Sequence, residues 1–94
     1  MTKQKFIESI ENSSCPHGLS LHLQSLWWDA KGEWDKAHRL IDHLEDPISA
    51  HIHAYLHRVE GDIWNARYWY NKAKKDEYCG SLKQEWELLV DMYL

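Results

Sequence analysis

Cysteine is scarce in this chain: only Cys15 and Cys79 occur in 94 residues. Two thiols do not make a disulfide framework, and neither sits in a CxxC pair. Both are expected reduced in a cytoplasmic protein, with a Cys15–Cys79 bridge as the other reading. No run approaches the roughly 18 apolar residues of a membrane span, and no charged-then-apolar signal segment opens the chain. The expectation is a soluble intracellular chain with no membrane partner. Excess positive charge is also missing. The net charge is −4 with neutral histidine, and the clusters Lys3/Lys5 and Lys72/Lys74/Lys75 are short and lie near acids. Phosphate backbones need a basic face, so nucleic acid is not an expected partner. β-Branched residues are few and no period-two alternation is sustained, which argues against strands. There is no glycine-rich phosphate loop, and the serines and cysteines fall in turns without a nucleophile elbow. Asp29, Glu33, Glu60 and Asp62 flank helix ends, where acids near an N-terminus are electrostatically favoured in any case. With no nucleophile beside a base and no paired carboxylates, the chain is expected to be neither an enzyme nor dependent on a cofactor.

Aromatic side chains and histidine are plentiful. Six Trp and five Tyr give a short chain much area to bury, and their N–H and O–H groups then need partners. A chain of this length forms one domain, residues 1–94, burying roughly 60–70% of the surface its unfolded form exposes. Protonating all seven His would carry the net charge from −4 to +3, so the overall charge is acid-sensitive.

The dominant pattern is a duplication. Trp28-Asp29-Ala30-Lys31-Gly32-Glu33-Trp34-Asp35-Lys36-Ala37 returns 29 residues later as His57-Arg58-Val59-Glu60-Gly61-Asp62-Ile63-Trp64-Asn65-Ala66. Each copy is an amphipathic stretch, a Gly followed by an acid, and a second amphipathic stretch with Ala inside. That is a helix-turn-helix hairpin made twice, the first spanning about 19–45 and the second about 47–75. In the first hairpin Leu19, Leu23, Leu26, Trp27 and Ala30 form one stripe and Trp34, Ala37, Leu40, Ile41 and Leu44 the other. The second hairpin matches them with Ile48, Ile52, Tyr55, Leu56 and Val59, then with Ile63, Ala66, Trp69, Tyr70 and Ala73. Ala37 and Ala66 mark close helix approach, where a larger side chain would push the pair apart. The expected helices run about Lys3–Asn12, Leu19–Lys31, Trp34–Glu45, Pro47–Glu60, Asp62–Lys75 and Ser81 to Tyr93. Asp46-Pro47 supplies a cap and a first-turn proline. Ser81 reads as a cap alone, since Glu85 lies one place too far for a capping box. The fold class is all-α: about six helices, two hairpins and flanking terminal helices at about 3–12 and 81–93.

Gly32…Ala37…Ile41 and Gly61…Ala66…Tyr70…Ala73 resemble the second half of the tetratricopeptide repeat, in which a Gly-containing turn precedes a small and then a large apolar residue. The first half departs from that pattern, with Leu21, Gln24, Ser25 and Trp28 and then Ala50, His53, Ala54 and His57 at the family's Trp, Leu, Gly and Tyr positions. The block His53–Arg58 with Asn65–Tyr70 also resembles a group of small uncharacterised bacterial proteins. The repeat resemblance implies a concave peptide groove, here Leu19, His22, Leu26 and Asp29 with His51, Tyr55 and Arg58. The carboxylate clamp of some family members is not implied, because its Lys/Arg and Asn are absent. The apolar stripes fall largely on this groove, and so large an apolar surface is rarely left in water. Either the terminal helices cover it, through Phe6, Ile10, Leu82, Trp86 and Leu89, or another chain does.

The expected role is binding, by a small interaction or adaptor module able to self-associate, with a protein, a peptide or a second copy as partner. The solvent face of the third helix carries Asp35, Arg39 and Asp42, whereas matching places on the fifth carry Trp64, Tyr68 and Asn71. Trp64 and Tyr68, four apart, form an aromatic patch, and aromatics concentrate at the energetic centres of interfaces. The opposing expectation is that the sixth helix packs there through Trp86. Tyr55, Arg58, His51 and His22 form a second candidate surface. Arg67 is expected to stack on a ring or hold a carboxylate. The alternative function is a histidine-based metal-binding or acid-sensing domain. His53 and His57, four apart on one face, have chelating spacing, but Ala54 replaces the Glu of HExxH. Buried His hydrogen-bonded within the core is the plainer reading of that pair.

Overall fold

Two identical bends organise the chain. Gly32 and Gly61 adopt φ of 83° and 84°, a left-handed conformation that costs an L side chain about 1–2 kcal/mol. At the first bend Gly32 N–H reaches Asp29 O at 2.9 Å and Glu33 N–H reaches Trp28 O at 2.9 Å. At the second, Gly61 N–H reaches Arg58 O at 3.0 Å and Asp62 N–H reaches His57 O at 2.8 Å. This paired closure satisfies the last carbonyls of the preceding helix. The duplicated sequence therefore makes the same turn twice.

A computed structural model describes residues 1–94. It contains six helices and no strand: α1 Lys3–Ser9, α2 Leu21–Ala30, α3 Trp34–Ile41, α4 Pro47–Val59, α5 Ile63–Ala73 and α6 Leu82–Tyr93. The all-α expectation holds, with shorter elements. Helix α2 starts at Leu21 because Ser20 accepts from Leu23 N–H at 3.2 Å. Helix α1 stops at Ser9, beyond which i→i+3 bonds tighten the chain and Lys31 Nζ donates to the carbonyls of Ile10 (2.7 Å) and Asn12 (2.9 Å). Helix α3 ends at Ile41, where Leu44 N–H bonds Ile41 O at 3.0 Å. Ser81 does open a capping box, with Gln84 in place of Glu85. Gln84 N–H donates to Ser81 Oγ at 3.0 Å, and Ser81 N–H donates to Gln84 Oε1 at 2.9 Å.

Helix α4 is the central element. Every residue from Ser49 to His57 is buried, and the helix contacts α2, α3, α5 and α6. A helix surrounded in this way needs partners for its polar side chains on all sides. The alanines work as expected: Ala37 and Ala66 are buried where α3 meets α2 and α5 meets α4. Ser25, fully buried, donates to Ala37 O at 2.8 Å and ties α2 to α3.

The terminal helices close the groove. Trp86 on α6 donates through Nε1 to Leu26 O at 2.9 Å and packs near Phe6, with ring centroids 5.9 Å apart. Trp27 donates to Ser9 Oγ at 3.1 Å, joining α2 to α1. Of the two covers left open by the sequence, the chain's own α1 and α6 occupy the stripes of α2 and α4. No helix is long and apolar enough to cross a membrane.

Candidate functional site

The groove residues face partners inside the molecule. His51 on α4 is 4% exposed, and its Nδ1 lies 2.7 Å from Tyr93 Oη on α6. Burial, with a smaller contribution from Lys75, pushes the His51 pKa down to about 4. Tyr55, buried, donates to Asp29 Oδ2 at 2.6 Å, and burial together with that carboxylate raises the phenol pKa. Burial raises the Asp29 pKa in turn, against the lowering effect of the Tyr55 hydrogen bond. His22 Nε2 lies 2.9 Å from Ser49 Oγ and 3.1 Å from Asp46 Oδ2, at the start of α4. His22 and His51 thus share a place in the repeat and have unrelated partners.

Arg58 belongs to a buried polar cluster. Its Nη1 donates to Glu85 Oε1 at 2.6 Å and its Nη2 to Gly80 O at 2.9 Å. Tyr70 donates to the other oxygen of Glu85 at 2.5 Å, and Glu85 is fully buried. Burial disfavours the guanidinium charge, but the hydrogen bond and charge of Glu85 outweigh it and raise the Arg58 pKa. The second candidate surface is therefore largely occupied by α6. What remains open there is a shallow depression of about 350 Å³ bounded by residues including Tyr55, Val59, Leu82 and Trp86. The sequence offers Glu85 only as a failed capping-box residue and not as a buried partner of Arg58, although an acid four residues before Leu89 on the apolar stripe of α6 was the available signal.

The outer face of α5 is different. Trp64 is 76% exposed, Tyr68 50% and Ile63 45%. With Arg67 and Asn71 these residues line a depression of about 610 Å³, the larger of two on the molecule. Trp86 does not pack there, since α6 uses it on Leu26. Ile63, expected inside, belongs to this surface instead. Arg67 Nε donates to Glu77 Oε1 at 2.9 Å with both side chains at least half exposed, so it holds a carboxylate at the patch edge.

Between α3, α4 and α5 lies an aromatic stack that the sequence shows only in part. His53 and His57 stack with ring centroids 4.8 Å apart, and His53 stacks on Trp69 at 3.9 Å. His38 joins them from α3: its Nε2 lies 2.9 Å from His53 Nε2, and its ring stacks on Trp34. The buried-histidine reading of His53 and His57 matches their exposures of 4% and 8%. Their neighbours, however, are a third histidine and a carboxylate, Glu60, whose Oε1 lies 2.5 Å from His57 Nδ1. His53 Nδ1 is buried without a hydrogen-bond partner. Burial and the neighbouring His38 and His57 lower the His53 pKa to about 3. Burial also lowers that of His38, against the pull of Asp42. His38 was missed because its place in the repeat holds Arg67 in the other copy. Its position beside the inner Ala37 was the usable signal.

Comparison with known proteins gives no match to a family model, a curated protein or a solved structure.

Proposed function

We propose that this domain is a cytoplasmic protein-interaction module of tetratricopeptide-like hairpins that self-associates through the outer face of α5. The observation that carries this reading is the exposure of Trp64, at 76%, beside Tyr68 and Ile63 on a helix whose opposite face is packed. An indole in water forfeits about 25 cal/mol for each Å² of apolar surface that a partner would bury. The surface has the composition of an interface centre, with large aromatics flanked by Arg67, Asn71 and Lys72. Trp64 is itself a wall of the depression on that face, so a two-fold pair can pack each copy's indole against the other's. Tyr68 lies one helical turn along, about 6 Å, in reach of the same partner. The groove that a repeat protein would offer to a peptide is filled here by α6, which supports reading α5 as the binding face instead.

Sedimentation equilibrium over a wide concentration range tests the proposal. The wild type is expected to form a dimer, and Trp64→Ala or Tyr68→Ala to raise its dissociation constant at least tenfold without loss of helicity. A wild type that stays monomeric into the millimolar range, or a dimer indifferent to both substitutions, would overturn it.

A further inference from the structure

We propose that His38, His53 and His57 form a binding site for a first-row divalent transition metal of the Zn2+ class at the α3–α4 contact. This proposal is independent of the α5 interface. One ring nitrogen of each histidine lies within 4.8 Å of those of the other two. Imidazole nitrogens suit zinc, nickel and copper, and a three-histidine site leaves a coordination position open to water.

The surroundings set the ring tautomers. His57 Nδ1 faces Glu60 Oε1 at 2.5 Å, so that nitrogen carries the proton and Nε2 keeps its lone pair. His38 Nδ1 faces Asp42 Oδ2 at 3.7 Å, which orients that ring in the same sense and leaves Nε2 on the His53 side. A carboxylate behind a histidine fixes its ring and raises its basicity as a ligand. Trp34 stacks on His38 and Trp69 on His53, limiting the swing of both rings. The 2.9 Å contact between the two Nε2 atoms needs a proton on one of them; with His38 protonated at Nδ1 that proton sits on His53 Nε2, and ligation by both Nε2 atoms moves it to His53 Nδ1, the buried nitrogen that no other group occupies.

The geometry needs tightening. Tetrahedral Zn–N bonds of about 2.0–2.1 Å place ligand nitrogens about 3.3 Å apart. The His38–His53 pair, at 2.9 Å, is already close. His57 has to close on that pair, and its near-parallel stacking on His53, at 19°, has to open so that both lone pairs point to one ion. His38, with 24% of its side chain exposed, provides the entry path, and Asp42 and Glu60 place negative charge at the mouth.

The test is titration of the full-length, untagged, chelator-treated protein with Co2+, read by visible absorption, and with Zn2+, read by calorimetry and melting. One equivalent is expected to bind, with tetrahedral-type Co2+ bands and a raised Tm. His38→Gln, at the partly exposed edge of the cluster, is expected to stay folded and to weaken binding at least tenfold. Glu60→Gln is expected to weaken it by about 10–100-fold. His57 also lies near Glu60 and Asp62, which make a competing cluster. Loss of binding in Asp62→Asn with full binding in His38→Gln would place the ion there and overturn the proposal. So would unchanged melting and colourless Co2+ at millimolar metal.

Discussion

Replacing Glu85 is the sharpest structural test of how α6 is held on the bundle. Glu85 is fully buried and binds two groups of the second hairpin, Arg58 at 2.6 Å and Tyr70 at 2.5 Å. Only 17% of the Arg58 side chain is exposed, so its charge has little water to fall back on. Glu85→Ala leaves that guanidinium with the Gly80 carbonyl alone and strands the Tyr70 hydroxyl. Removing one partner of a buried ion pair costs about 3–5 kcal/mol. A domain of this size has about 5–14 kcal/mol to lose, so the change removes a large part of its stability. Glu85→Gln keeps an acceptor for Tyr70 and removes the negative charge that faces Arg58, for an intermediate cost of about 1.5–3 kcal/mol. The combined Glu85→Met, Arg58→Met and Tyr70→Phe variant removes all three polar groups together and is expected to recover most of the loss. Urea unfolding followed by tryptophan fluorescence gives the numbers. A Glu85→Ala protein within about 1 kcal/mol of wild type would refute the reasoning, because the cluster would then not hold α6 in place.

Two further outcomes follow from particular residues. Lys74, just past α5, has φ of 59°, and Lys75 N–H closes the same kind of turn onto Tyr70 O at 3.0 Å. Lys74→Gly is expected to stabilise by about 1 kcal/mol, which is about 4–8 °C in Tm, and a lower Tm would contradict the strained assignment. Metal-free protein is expected to lose stability as pH falls from about 6.5 toward 4. His51 and His53 have folded pKa values of about 4 and 3, below the unfolded value near 6.5. The unfolded chain therefore binds more protons in that window, at up to about 1.4 kcal/mol per pH unit for each histidine. Around His51 the relevant groups are Lys75, Tyr70 and Tyr93, and around His53 they are His38, His57 and Asp42. Asp29, whose pKa is raised by burial, opposes the trend at the acid end. Denaturant melts at several pH values check this, with His51→Asn expected to reduce the slope and a flat profile between pH 7 and 5 counting against it.

Much of the fold was legible because local signals agree with the global arrangement. Gly32 and Gly61 stand where a left-handed residue is needed, Asp46-Pro47 starts α4, and Ala37 and Ala66 sit at close helix contacts. Exposed Trp64 and Tyr68 were legible as a break between otherwise matching copies. The groove was legible only as a conflict, since periodicity shows that a stripe must be covered and not which helix covers it. The roles of Glu85 and His38 were not legible because they depend on residues 27 and 15 positions away, Arg58 and His53, and no spacing rule links such pairs. Helix ends shifted by a few residues wherever a polar side chain, such as Ser20 or Lys31, captured backbone groups that periodicity alone assigns to the helix.

The central claim is that α5 presents the contact surface and that α1 and α6 close the rest. Amide chemical shifts recorded from dilute to concentrated protein test it most directly. Concentration-dependent shifts are predicted for Ile63 through Asn71, with the α4–α6 contact unchanged. Shifts centred on α4 and α6, or none at any concentration, would contradict the account.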